Sequence, residues 1–345
     1  HSMKSSPYKD GKGDIVKELS DACRRHGLKF GFYLSPWDRN CRLYGTPEYN
    51  DYYRGQLTEL LTGYGEIFHV WFDGACGEGP NGKKQVYDFD SYFELIHKYQ
   101  PNATIFSDRG PIRWCGNESG DARYAEWAVV PSELCPYSRI QTGTGPFNGD
   151  LSYMYNTNKE IGSLSNIMYS KGLVFAPSEV DMSIRPGWFY HGNEAPHSLD
   201  RLFETYLRSV GGNTTFILNI PPRPDGTFDP QDVERLRELG EKIDKSFAVD
   251  LAKDCDIEIS PFNGSETQCI AEIDFKKKAE IKYLDFSENI AEGQRIESFI
   301  IQRRDDNGRW FDCFEGTTVG ARRIVSLGSI TTDGLRIFVT ASRDT

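Results

Sequence analysis

The chain has 345 residues, with 40 basic side chains against 51 acidic ones and a formal charge of −11. That length suits two domains and a large buried core. The acidic balance argues against a protein held by charge on nucleic acid or on an anionic membrane. Mean hydropathy is −0.55, and no run reaches the ~18 apolar residues of a membrane-spanning helix. Aromatic residues make up 13% of the chain, flat apolar surface that suits either a core or the face of a sugar ring.

Asp14–His26 reads as a helix, with Ile15, Val16, Leu19, Ala22 and Cys23 on one face and Gly27 as its stop. Leu28–Leu34 reads as a strand closed by Ser35-Pro36-Trp37-Asp38. Residues 47–62 read as a helix, Glu66–Phe72 as a buried strand, Asp88–Tyr99 as a helix and Ala103–Phe106 as a strand. Leu173–Ala176 and Thr214–Leu218 are further strands, with helices at Leu199–Val210 and Asp229–Ile243. Strands alternating with helices predict βα units on a parallel sheet. Polar residues recur just beyond strands, at Asp38, Asp73, Asp108, Glu179 and Asn219, the end that carries chemistry in a (β/α) barrel. No GxGxxG or GxxxxGK[ST] follows a strand, so a barrel is preferred to a nucleotide-binding open sheet. About six strands read before residue 220, against the eight of a closed barrel. Either some strands are illegible or the chain begins after the first ones. It opens on His1 without a signal-peptide pattern, which reads as a processed or truncated start.

Beyond residue 250 the period becomes two. Ile270–Phe275, Ala279–Phe286, Ile296–Gln302, Trp310–Glu315 and Leu335–Ala341 predict an antiparallel β-sandwich. The expected division is a (β/α) barrel over residues 1–246, lacking its first strands, and a β-sandwich over 247–345. The eight cysteines form no CxxC pair, and their scatter reads as free thiols. No HExxH or HxH spacing suggests a metal, no GxSxG suggests a serine nucleophile, and no cofactor is expected.

Three segments could carry chemistry. In Val70-Trp71-Phe72-Asp73-Gly74 a carboxylate ends a buried strand beside an aromatic ring. Such a carboxylate can attack a bound ligand, as in retaining glycoside hydrolysis, or can merely cap the next turn. Arg113-Trp114-Cys115-Gly116-Asn117-Glu118 offers a second carboxyl group in a loop; Glu118 can protonate a leaving oxygen or be an ordinary solvated residue. The run Ser178–His191 mixes acids, Arg185, Trp188 and His191, which suits a polyol ligand or an internal Arg–carboxylate pair. Arg113, Glu179 and Arg185 are candidate substrate contacts, with Glu179 the fallback acid/base. His69, mid-strand, reads as a core histidine or a partner for a hydroxyl.

These residues sit in segments that resemble the α-L-fucosidases of glycoside hydrolase family 29. The matching stretches are residues 6–38, VWFDGA (70–75), IRWCGNE (112–118), GPFNGDLSYMYNTN (145–158), SEVDMSIRPGWFYH (178–191) and LNIPPRPDGTFDPQDVERLRELGEKI (218–243). The resemblance implies a TIM-like (β/α)8-type barrel and a galactose-binding-like sandwich. It makes Asp73 the nucleophile that forms a covalent fucosyl-enzyme and Glu118 the acid/base. It also makes Tyr33 and Trp71 fucose contacts, with Trp188 and His191 shaping the site for the rest of the oligosaccharide. The GNE and SIRPGWFYH stretches resemble the branch acting on α-1,3/1,4-linked fucose. The family's opening His-bearing segments have no counterpart, which implies roughly 80–100 upstream residues in the intact protein. Gly110-Pro111-Ile112-Arg113 is one residue shorter than the family's pattern. The expected activity is removal of terminal fucose with retention. The alternatives are a non-catalytic carbohydrate-binding protein on the same scaffold, or another retaining barrel glycosidase. The expected partner is a fucosylated oligosaccharide, with no nucleic acid and no membrane span; oligomeric state is not legible. Since complex glycans lie outside the cell, a periplasmic or secreted bacterial protein is expected.

Overall fold

The computed structural model describes residue 4 and residues 7–107, 112–132, 160–170 and 172–344. Asp108, the Gly110-Pro111 pair and the 145–158 stretch fall outside them. The described residues fall into two compact units, one running up to residue 113 and the other from residue 114 onward. Among the described residues no helix is long and apolar enough to cross a membrane. The seven described cysteines are free thiols.

The first unit is a run of βα repeats. Helix α1 (Ile15–Arg25) starts where Asp14 accepts a hydrogen bond from the Lys17 amide, satisfying one of the orphan donors of the first turn. Strand β1 (Gly31–Tyr33), helix α2 (Glu48–Gly63), strand β2 (His69–Trp71), helix α3 (Phe89–Tyr99) and strand β3 (Thr104–Phe106) follow. The strands are parallel in the order β1-β2-β3, with Tyr33, Trp71 and Phe106 side by side. Alternation splits β2 between two environments. Val70 and Phe72 are buried in a core with Tyr49, Tyr53, Leu57, Tyr92 and Ile96 from α2 and α3. His69 and Trp71 face the other way. Gly31 is required by close approach, because a Cβ there would meet the His69 carbonyl oxygen at 2.7 Å.

In the second unit, β4 (Arg113–Trp114), which straddles the division, lies beside β7 (Ser178–Ser183), and β7 pairs in parallel with β8 (Thr215–Asn219). Helix α4 (Leu199–Ser209) connects β7 to β8. Helix α5 (Pro230–Ser246) follows, with Asp229 as its cap and Pro230 in its first turn. The Leu173–Ala176 strand expected from sequence exists as β6 (Leu173–Phe175), but it pairs antiparallel with β5 (Val129–Pro131). The parallel strand is β7, in a stretch that reads from sequence as a loop. Its residues alternate Glu179, Asp181, Ser183 on one face with Val180 and Met182 on the other, and all are buried. A doubly buried strand normally reads as an unbroken apolar run; one polar face hid this one.

The C-terminal sheet has the order β12-β11-β13-β10-β9, formed by β9 (Asp256–Pro261), β10 (Cys269–Phe286), β11 (Ile296–Arg304), β12 (Trp310–Gly316) and β13 (Arg323–Ser342). The two runs expected at 270–275 and 279–286 are one long strand interrupted by a bulge between Asp274 and Ala279. Its core gathers Ile281, Phe299, Ile301, Val319, Val325 and Leu335. Asn213, at φ +64°, stitches the turn before β8 to this sheet. Its side chain donates to the Glu126 carbonyl and accepts from the Ala321 amide, at 3.0 and 2.8 Å.

Candidate active site

The polar groups of interest form one cluster in each compact unit. In the first, Asp73 emerges two residues beyond Val70–Trp71, on the Trp71 side of the strand. Its carboxylate is gripped at both oxygens. Oδ1 accepts from the Ala75 amide at 2.8 Å and Oδ2 from the Tyr33 hydroxyl at 2.5 Å. The turn-capping role weighed from sequence is therefore real, and it uses one oxygen only. The neighbouring rings form a flat ladder. Trp71 lies on Phe106 with centroids 4.3 Å apart and planes 3° apart, and Tyr33 stacks on Trp71 at 5.2 Å. In-register parallel pairing brings these three residues together. Tyr33 remains 53% exposed. Burial and then the Asp73 carboxylate push its hydroxyl up to about 12, so it stays a proton donor near neutral pH. His69 Nδ1 lies 2.8 Å from Thr104 Oγ1. Burial pulls its imidazole down to about 4, so it is neutral and a hydrogen-bonding partner rather than a cation. Arg113 is buried at the start of β4.

In the second unit, Glu118 stands on a tight loop written by its neighbours. Gly116 takes φ +105° and Gly120 +82°, a region that favours glycine. Asn117 Oδ1 accepts from the Ser119 and Asp121 amides, and its Nδ2 donates to the Asp121 carbonyl at 2.9 Å. The base of the loop is pinned where the Cys115 amide donates to the Glu179 carbonyl and Arg123 to the Cys115 carbonyl. Glu118 is exposed, and Trp188 Nε1 donates to its Oε2 at 3.0 Å. Trp188 is itself held, because Asn219 Nδ2 donates to its carbonyl at 3.1 Å and to Ser183 Oγ at 2.9 Å.

Arg185 is buried and turned toward partners within the protein. Its Nε bonds both oxygens of the buried Asp232 at 2.8 Å, and the guanidinium also pairs with Asp229 and the Glu194 carbonyl. The Tyr190 hydroxyl donates to Asp229 at 2.8 Å. These bonds brace the loop that carries Trp188. Glu179 lies within β7 rather than in a loop beyond a strand, on the face it shares with Asp181, and Asp181 accepts from Trp114 Nε1 at 2.8 Å. His191 is exposed at the far end of the Trp188 loop. The structure thus brings Tyr33, Trp71 and Asp73 together, and Glu118 with Trp188. Sequence reasoning missed Phe106, Asn117, Asp229 and Asp232. Asn117 alone left a signal, an Asn between glycines in a loop.

Residues 2–246 match the family model described as Alpha-L-fucosidase. The chain belongs to this family, glycoside hydrolase family 29. Over 99% of its length the chain is 36% identical to Alpha-L-fucosidase 1 of Arabidopsis thaliana, covering 69% of that protein. A crystallised Bacteroides ovatus protein is 41% identical, with a TM-score of 0.88 over 99% of this chain and 58% of that one. A Ruminococcus gnavus family 29 fucosidase crystallised with fucose is 28% identical, with a TM-score of 0.80 over 99% and 75%. The chain therefore spans about three fifths of one of these α-L-fucosidase-family relatives and more of the others. These similarities bear out the expected fold class, a TIM-like (β/α) barrel followed by an antiparallel β-sandwich.

Proposed function

We propose that the protein is a retaining exo-α-L-fucosidase that removes terminal α-1,3- or α-1,4-linked L-fucose from oligosaccharides. Membership of the α-L-fucosidase family supports the activity. The observation that carries the mechanism is the Asp73 carboxylate, clamped by Tyr33 and Ala75 at the edge of an aromatic ladder. Two donors orient its oxygens and the rings offer an apolar wall, which suits the methyl and C–H faces of a deoxy sugar. In the first half-reaction an Asp73 oxygen bonds to the anomeric carbon as the glycosidic C–O bond breaks, and Glu118 gives a proton to the departing oxygen. In the second, Glu118 takes a proton from water, whose oxygen displaces Asp73 and restores the α configuration. The GNE and SIRPGWFYH stretches support the linkage reading. The substrate class supports a periplasmic or secreted location.

The test is fucose release from a Lewis-type trisaccharide and from 2′-fucosyllactose, with the anomer first formed read by NMR. The expected results are preference for the trisaccharide and α-fucose as first product. Asp73→Ala should lower kcat on the order of 10³-fold or more, and Glu118→Ala about 10²- to 10⁴-fold. Preference for 2′-fucosyllactose overturns the linkage, β-fucose overturns retention, and full activity in Asp73→Ala overturns the nucleophile.

A further inference from the structure

The family resemblance implies that Trp188 helps shape the site for the rest of the oligosaccharide, and the structure gives its indole a further partner. Nε1 donates to Glu118 Oε2 at 3.0 Å, and an indole N–H can donate but not accept. Both ends of this bond rest on built backbone. The Glu118 loop is held by the three Asn117 hydrogen bonds. The Trp188 loop is held by Asn219 at the Trp188 carbonyl, by Tyr190 on Asp229 and by the buried Arg185–Asp232 pair. An exposed glutamate with several rotatable bonds is thereby tied to a fixed donor.

We propose that Trp188 is a positioning residue for the acid/base, one that assigns different tasks to the two oxygens of Glu118. Oε2 is occupied as an acceptor, so the transferable proton rides on Oε1. That proton passes from Oε1 to the departing oxygen as the glycosidic bond breaks, and Oε1 later takes the proton of the attacking water. The inference rests on Glu118 being the acid/base.

Leaving-group dependence tests it. A departing dinitrophenolate leaves without a proton, whereas a sugar alkoxide needs one. In the full-length protein, kcat/KM is measured on 2,4-dinitrophenyl α-L-fucoside and on the Lewis-type trisaccharide. Trp188→Phe removes the N–H and keeps a ring; Trp188→Ala removes both. The activated-to-natural ratio should rise about 10- to 100-fold in both variants, the worth of one hydrogen bond to a charged group. A fall in folded fraction lowers both rates together and leaves that ratio unmoved. A ratio unchanged in both variants overturns the proposal, as does a ratio that moves in Trp188→Ala alone, since the ring would then be the active part. Glu118→Ala separates the two layers: a ratio unmoved there overturns the acid/base reading itself.

Discussion

At the scale of single residues, the pair that matters is Tyr33 and Asp73, 40 positions apart in sequence and 2.5 Å apart in space. A hydrogen bond to a charged acceptor contributes about 1.5–3 kcal/mol. Tyr33→Phe should therefore lower kcat/KM for fucose release about 10- to 100-fold, while the thermal midpoint moves little because the side chain is half exposed. Steady-state kinetics and a melting curve on the same preparation check both halves. Asp73 was legible from sequence because a strand-ending carboxylate beside an aromatic is a local pattern. Its grip was not legible, since Tyr33 comes from a different strand and the register joins them.

At the scale of elements, the loop after β7 shows how a buried ion pair organises a surface segment. Asp232 sits on α5 and is wholly buried against Arg185. Removing one partner strands a charge in a dry environment, which costs about 3–5 kcal/mol. Asp232→Ala should lower the denaturant midpoint of the second unit accordingly. It should also weaken fucose release, because the loop carrying Trp188 loses its brace. A midpoint unchanged within error would show that the pair adds nothing to stability. The sequence presented this segment with two readings, polyol contact and internal Arg–carboxylate pair, and Arg185 realises the second. Strand β9 was illegible for another reason. Ile257 and Ile259 alternate with polar residues, but the run is short and all six of its residues are exposed, so the alternation marks no buried face.

At the scale of the whole molecule, titration of buried groups sets the pH range of stability. Burial lowers His69 to about 4 from 6.5. Between those values the unfolded chain binds the extra proton, so stability present above pH 6.5 is lost as pH falls toward 4. The tyrosines act at the other limb. Burial raises Tyr44, and burial with Asp73 raises Tyr33, to about 12 from 10. Tyr49, Tyr87 and Tyr92 shift in the same direction, chiefly through burial. There the unfolded chain loses its proton first, so stability present below pH 10 is lost as pH rises through 12. Melting temperature followed from pH 4 to 12 should show a plateau between about 6.5 and 10, with a fall on each side. Tyr44→Phe should soften the alkaline fall. An alkaline fall identical in that variant would remove Tyr44 from its causes.

Local chemistry is what the sequence by itself determined: helices that begin at Asp14 and near Asp229, the alternation of the sheet after residue 250, the carboxylate of Asp73 just past a strand, and motifs close enough in order to resemble one family. Each is written within a few neighbouring residues, where periodicity and capping operate. The tertiary structure alone decided which of those groups meet. Parallel register stacked Tyr33, Trp71 and Phe106, a polar-faced strand took the place of an expected loop, and Trp188 was turned onto Glu118. Those outcomes depend on contacts between residues tens of positions apart, and no local pattern encodes which distant partner a side chain will find.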